Sequence, residues 1–179
     1  MTEHLVQRQT SSPFDPKAFY IFSNAASAGN TLSNGISWSS VNMTKKGAYS
    51  SENWQVYYQQ GRYFLRNYDF QTKSHYGLGS WRFPPGMEKA SGSLGHQWTL
   101  TKEEDGWILT NGLIGNNSYL ALVEGNNIPV MSTSKRGAVW QIEMNIPATT
   151  PKDPAMLLDV ANFEVCMRSI TLGYASLTI

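Results

Sequence analysis

The sequence contains little cysteine and little charge. Its single cysteine, Cys166, can form neither an intrachain disulfide nor a cysteine metal cluster. Charged residues make up 15% of the chain, whereas about 25% is usual in soluble domains. The 14 Lys and Arg nearly balance the 13 Asp and Glu, and no long basic run occurs. We therefore expect no binding to nucleic acid through a charged surface, which requires clustered cations.

Long apolar runs are also missing. A membrane-spanning helix needs about 18 consecutive apolar residues, and the sequence contains no such run. The opening residues, MTEHLVQRQTSSPFDP, lack the apolar core of a signal peptide. These features predict no membrane span and a cytoplasmic location, with unconventional secretion left open.

The groups that carry catalysis or bind metals are scarce and scattered. The three histidines are His4, His75 and His96, and none belongs to a metal-ligand or phosphate-loop motif. No nucleophile with an adjacent base can be recognised either. We expect a protein that is not an enzyme and that holds no cofactor and no metal.

What the sequence does have is an internal repeat rich in aromatic residues. Three segments, FYIFSN, RYFLRN and GWILTN, share an aromatic residue, two apolar residues and an asparagine in one register. The register continues into a Leu or Tyr column, a Met column and a Trp column. The five columns are Tyr20, Tyr63 and Trp107; Asn24, Asn67 and Asn111; Leu32, Tyr76 and Leu120; Met43, Met87 and Met131; and Trp54, Trp98 and Trp140.

Each repeat has the pattern of about four short strands. Short aromatic and β-branched segments alternate with Gly, Asn, Ser and Pro clusters, a pattern typical of all-β folds. Three such repeats of about 42–44 residues, approximately 19–61, 62–105 and 106–145, predict a β-trefoil with pseudo-threefold symmetry. A three-bladed propeller is the rival architecture, and it is disfavoured because propellers have at least about four blades.

The two ends of the chain differ from the repeats. Residues 1–16 are polar and are expected to form a flexible segment, so that the trefoil domain spans residues 17–146. Residues 147–179 begin with a Pro- and Thr-rich linker. A short amphipathic helix is expected from Ala155 to Val165. The role of this C-terminal tail stays open.

The repeats resemble those of the ricin B-type lectins, with the greatest likeness to the fungal branch. The best match is Gly47-Ala48-Tyr49-Ser50-Ser51-Glu52-Asn53-Trp54, and the likeness covers residues 19–145. The resemblance implies sugar binding, but three family columns are altered. The family's Asp is replaced by Ser33, Gly77 and Ala121, and its Gln by Glu52, His96 and Ala138. The position of its aromatic platform contains Tyr49, Ser93 and Lys135.

The first repeat alone retains an aromatic and a polar group together. We expect its site to use Tyr49 or Trp38 as a platform for the apolar face of a sugar. Its polar partners are expected to be Ser33, Asn34, Glu52 and Asn53. A second candidate site in the middle repeat comprises Trp81, Arg82 and His96, whereas Asn126 and Asn127 in the third repeat are interpreted as a plain turn.

The sequence therefore predicts a non-catalytic carbohydrate-binding module with degenerate sites, whose partners are glycans or glycoconjugates. The alternative is a protein-interaction or protease-inhibitor trefoil without sugar binding, because one fold supports many functions. The two differ in their loops, since a lectin depends on one platform and its polar neighbours, whereas a protein binder uses a broader surface. The sugar, the number of working sites and the oligomeric state stay open.

Overall fold

The chain forms an all-β domain. The computed structural model describes residues 12–34, 40–67, 76–80, 85–89 and 94–146. Within these ranges there are twelve strands, and the helices are three single 3-10 turns. The strands are β1 Phe19–Asn24, β2 Asn30–Ser33, β3 Asn42–Lys45, β4 Trp54–Gln59, β5 Arg62–Asn67, β6 Tyr76–Gly79, β7 Gly86–Lys89, β8 Trp98–Glu103, β9 Gly106–Asn111, β10 Gly115–Ala121, β11 Val130–Ser132 and β12 Val139–Ile146.

Six of these strands close into a barrel. Antiparallel pairing runs from β1 through β4, β5, β8, β9 and β12 and returns to β1. The other six strands form one hairpin in each repeat, namely β2–β3, β6–β7 and β10–β11. A closed six-stranded barrel with three hairpins is a β-trefoil, which confirms the predicted fold. A propeller would instead have separate sheets for its blades.

Each repeat contributes one tryptophan to the centre of the barrel. Trp54, Trp98 and Trp140 have no exposed surface. A buried indole N–H needs an acceptor, because leaving it unpaired costs about 1–3 kcal/mol. The structure supplies the same acceptor three times, at a donor–acceptor distance of 2.8 Å. The indole Nε1 atoms donate to the backbone oxygens of Leu32, Leu78 and Leu120, respectively.

The sequence spacing predicted Tyr76 in the leucine column of the middle repeat. The structure places Leu78 there instead. The cross-strand pairs of the three hairpins are Leu32–Met43, Leu78–Met87 and Leu120–Met131. The middle hairpin is shorter by two residues between its leucine and its methionine. Because side chains alternate between faces with a period of two, this shift keeps the same face inward. The residue that follows the core leucine, at the position compared with the family's Asp, is therefore Gly79 and not Gly77.

The asparagine column couples neighbouring repeats. Asn24, Asn67 and Asn111 are buried at the ends of β1, β5 and β9. Each side-chain amide donates to a backbone oxygen three residues before the tryptophan of the preceding repeat in the ring. The acceptors are Gly137, Ser51 and Gly95, at 2.9, 2.7 and 2.8 Å. Since a buried amide must find partners, these bonds fix the angle between successive repeats.

The aromatic column lines one end of the barrel, and Phe14 closes that end. The ring of Phe14 lies 5.2 Å from Tyr20, 5.9 Å from Tyr63 and 5.0 Å from Trp107, measured between centroids. The backbone N–H of Asp15 donates to the Tyr20 hydroxyl at 2.7 Å. Burial raises the pKa of the Tyr20 and Tyr63 phenols above the ordinary value. One residue outside the repeats thus contacts all three of them.

The expectation of a flexible segment up to residue 16 is therefore wrong for residues 12–16, because Phe14 is buried in the core. The rest of that segment, and the predicted linker, helix and tail at 147–179, lie outside the described residues. Among the residues that are described, no helix is long and apolar enough to cross a membrane.

We predict that Phe14→Ala lowers the free energy of unfolding by about 3 kcal/mol, because it removes a ring packed against three others. This is the lower end of the usual range for such a change, since the barrel end can relax. Chemical denaturation monitored by tryptophan fluorescence measures the loss. Lys17→Ala, an exposed change in the same segment, should shift stability by less than about 0.5 kcal/mol. Equal stability of the two variants would contradict the packing described.

Candidate functional site

In the first repeat, the predicted carboxylate has an internal role. Glu52 is 6% exposed. It accepts a hydrogen bond from the hydroxyl of Thr31 at 2.7 Å and another from the backbone N–H of Gly47 at 2.9 Å. Glu52 lies in the 3-10 turn Ser50–Glu52, just before β4. Its carboxylate therefore ties the loop between β3 and β4 to strand β2.

The other polar residues predicted for this site also face inward. The Ser33 hydroxyl is fully buried and accepts a hydrogen bond from Thr44 Oγ1 at 3.0 Å. The Asn53 amide donates to the backbone oxygen of Ser50 at 2.9 Å, and its oxygen accepts from Asn145 Nδ2 at 2.7 Å. Asn34 is buried as well. The hydrogen bonds of Glu52, Ser33 and Asn53 therefore connect parts of the protein itself.

Tyr49 is the predicted member that reaches the surface. It precedes the 3-10 turn that contains Glu52, and 45% of its surface is exposed. The alternative platform, Trp38, lies outside the described residues, as do Trp81 and Arg82 of the second candidate site. The remaining member of that second site, His96, is buried. A sugar-binding role for these residues stays a prediction.

An open cleft of about 700 Å³ lies where the third repeat meets the first. We call it the third-repeat cleft. One wall is the 3-10 turn Ala25–Ser27 that follows β1, and the opposite walls are the turns after β10 and β11. Its polar lining residues include Asn24, Glu124, Ser132, Ser134 and Arg136, and Val123 and Val139 contribute apolar surface.

At this cleft, one backbone oxygen accepts two hydrogen bonds. The Gly137 oxygen accepts from Asn24 Nδ2 and from the Leu122 N–H, both at 2.9 Å. Asn24 Nδ2 also donates to the Val139 oxygen at 3.1 Å, and its side-chain oxygen accepts from the Ala26 N–H at 3.0 Å. A single asparagine from the first repeat thus joins both sides of the cleft.

The rim of the third-repeat cleft carries charged and hydroxyl groups. Arg136 Nη2 lies 3.7 Å from Glu124 Oε2, and both side chains are largely exposed. The Ser134 hydroxyl accepts the N–H of Arg136 at 3.2 Å, while the Ser132 hydroxyl accepts the N–H of Ser134 at 3.1 Å. Such side-chain-to-backbone bonds hold a turn without regular pairing.

The sequence did not single out this cleft. Two of the family columns in the third repeat contain Ala121 and Ala138, which are buried and offer no polar group. The third contains Lys135, whose exposed ammonium lies 3.6 Å from Glu103. Glu124 lies three positions after Ala121, and Arg136 lies two positions before Ala138. The asparagine column marked Asn24 as a recurring residue without assigning it a role. Nothing in the spacing indicated Glu124 or Arg136.

The fold is shared with solved structures at low sequence identity. A GlcNAcα1-4Gal-releasing endo-β-galactosidase from Clostridium perfringens matches 72% of this chain with a TM-score of 0.61 and 14% identity. A Polyporus squamosus lectin bound to the epitope Neu5Acα2-6Galβ1-4GlcNAc matches 72% with a TM-score of 0.55 and 14% identity. The designed threefold-symmetric protein ThreeFoil matches 70% with a TM-score of 0.55 and 17% identity.

These proteins differ in how much of their own length is matched. The match spans 97% of ThreeFoil, 49% of the lectin and 32% of the galactosidase. This chain therefore spans about a third to a half of the two larger proteins. No protein-family model matches the chain. No curated protein matches it by sequence.

We predict that Gly137→Ala strongly destabilises the domain. A Cβ at Gly137 would lie 2.1 Å from the Leu122 backbone oxygen, in a residue whose φ is 71°. Gly125 provides a matched control, since its φ is 82° but nothing lies within 4 Å of the added Cβ. Thermal melting should show a loss for Gly137→Ala that exceeds the loss for Gly125→Ala by at least about 2 kcal/mol. Similar losses would mean that backbone conformation alone accounts for the effect.

Proposed function

We propose that this protein is a non-catalytic carbohydrate-binding module and that the third-repeat cleft is its main sugar site. The observation that carries the proposal is the cleft itself. Its volume of about 700 Å³ falls within the range of about 300–1,000 Å³ typical of small-molecule sites. A sugar needs directional partners for its hydroxyls and an apolar surface for its C–H groups. The serines, Glu124 and Arg136 supply the former, and the exposed Val123 supplies the latter.

The lining favours binding over hydrolysis. Glycoside hydrolysis generally uses two carboxyl groups on either side of the scissile bond. Among the described residues, Glu124 contributes the one carboxylate in the lining of the cleft. With a single acid the cleft can orient a sugar, but it has no second group to act as nucleophile or base.

The solved structures with the same fold support the sugar-binding class. They include a lectin whose bound ligand is a trisaccharide and an enzyme that releases a GlcNAc-containing disaccharide. The repeat motifs add their resemblance to the fungal branch of the ricin B-type lectins. We propose on these grounds that the chain is a divergent lectin-like trefoil, whose sites have lost the family's usual carboxylate.

The first repeat is proposed as a secondary contact surface. Its exposed Tyr49 can stack on the apolar face of a sugar, whereas Glu52 and Ser33 are occupied by internal hydrogen bonds. An aromatic face whose predicted polar neighbours Glu52 and Ser33 are already bonded internally gives weak binding. Two weak sites on one domain can nevertheless strengthen binding to a multivalent glycan surface.

The protein-interaction alternative has one observation in its favour. Leu94 and Leu113 are 53% and 41% exposed. They lie on neighbouring turns, because the chain at Gly112 passes against the backbone of Leu94. An exposed apolar pair of this kind suits a protein partner better than a sugar.

The cleft is tested by placing a bulky side chain in it. We predict that Ala25→Trp, in the cleft wall, changes binding on a glycan array at least tenfold, mainly by obstructing the ligand. Ala28→Trp is the matched control, since Ala28 is exposed at the end of the same turn but outside the cleft. A change in either direction for Ala25→Trp alone supports the proposed site. Binding equal to that of the parent would refute it, and a folded parent that binds no glycan would favour a protein partner.

The secondary surface is tested by Tyr49→Ala. We predict a loss of about threefold to tenfold in binding to densely printed glycans, because stacking on an aromatic ring contributes about 1 kcal/mol. Binding to a monovalent sugar at the third-repeat cleft, measured by calorimetry, should be unchanged. Complete loss of all binding would instead place the main site in the first repeat.

A further inference from the structure

We propose that Glu124 and Arg136 together recognise the adjacent hydroxyls of a neutral sugar, replacing the carboxylate that the repeats lack. This inference rests on the proposed function and assigns the ligand class of the same cleft. The residues that follow the three core leucines are Ser33, Gly79 and Ala121, and all are buried. An acceptor with negative charge must therefore come from elsewhere, and Glu124 is the carboxylate that lines the cleft.

The geometry of the pair leaves both groups available to a ligand. The distance of 3.7 Å between Arg136 Nη2 and Glu124 Oε2 is longer than the roughly 2.7–2.9 Å of a charge-assisted hydrogen bond. The two side chains are 88% and 81% exposed. Such a pair contributes little to stability, so its two exposed members can separate to admit a sugar diol without breaking a strong contact. The carboxylate then accepts from a hydroxyl, and the guanidinium donates to the neighbouring oxygen.

Hydrogen-bonded turns fix the backbone at Glu124 and Arg136. The turn after β10 is closed by the N–H of Asn126 donating to the Val123 oxygen at 2.9 Å. The turn before β12 is closed by the Ala138 N–H donating to the Lys135 oxygen at 3.0 Å. Because both turns are hydrogen-bonded on either side of the charged residue, less order has to be imposed when a ligand binds.

The charges in the lining favour a neutral ligand. Glu124 and Arg136 carry opposite charges, and the other lining residues are uncharged. An acidic sugar would place its carboxylate beside Glu124 as well as Arg136, so that repulsion from the Glu124 carboxylate would offset the attraction to the guanidinium. A neutral hexose or N-acetylhexosamine with vicinal hydroxyls matches both members of the pair.

The experiment compares Glu124→Gln and Arg136→Gln with the full-length parent on an array of neutral and acidic glycans printed at equal density. Glu103→Gln is the matched control, since Glu103 forms an exposed ion pair with Lys135 at 3.6 Å outside the cleft lining. We expect both cleft variants to bind neutral glycans at least tenfold more weakly than the parent and Glu103→Gln to bind like the parent. Circular dichroism establishes that each variant is folded.

Two results would overturn the inference while leaving the proposed function intact. The first is a Glu124→Gln variant that binds neutral glycans like the parent, while Ala25→Trp alters binding. The second is a parent that binds acidic glycans and no neutral ones. If the folded parent binds no glycan of either kind, the proposed function fails and the inference fails with it.

Discussion

The structure depends on three buried indole N–H groups and the backbone oxygens that accept them. Each tryptophan fills the barrel centre, and its nitrogen reaches the leucine oxygen of its own hairpin at 2.8 Å. The bond therefore links the barrel to the hairpin in every repeat. A different residue at the tryptophan position would leave either a cavity or an unpaired carbonyl. This explains why the tryptophan column persists in repeats that otherwise differ widely in sequence.

The same demand for buried partners explains why Glu52 and Ser33 in the first repeat bond inside the protein. Glu52 has the residue type and position of a sugar-binding group, but it is 6% exposed and holds a loop through Thr31 and Gly47. A carboxylate that accepts two short hydrogen bonds inside the protein would have to give them up to bind a hydroxyl. The polar residues that make the first repeat resemble a lectin motif are thus the residues that stabilise its loop.

The fold could be predicted from the sequence because its determinants recur with a fixed spacing. The tryptophan, methionine and asparagine columns are core or coupling residues, and their spacing identified both the number of repeats and the strand pattern. The leucine column failed in the middle repeat, where Leu78 replaces Tyr76, because a hairpin can lose two residues without reversing its faces. Phe14 was missed because it belongs to no repeat, and its role appears once the three aromatic residues converge at one end of the barrel.

The candidate site is harder to predict because its lining residues come from two different repeats, the first and the third. The third-repeat cleft has one wall from the turn after β1 and its other walls from residues about a hundred positions later. Ring closure brings them together, since β1 pairs with β12 and Asn24 donates to Gly137 and Val139. A comparison of repeats in register aligns residues within each repeat and never places Ala25 beside Arg136. The turns that line the cleft differ in sequence from the corresponding turns of the other repeats, whereas the tryptophan and methionine columns recur in all three.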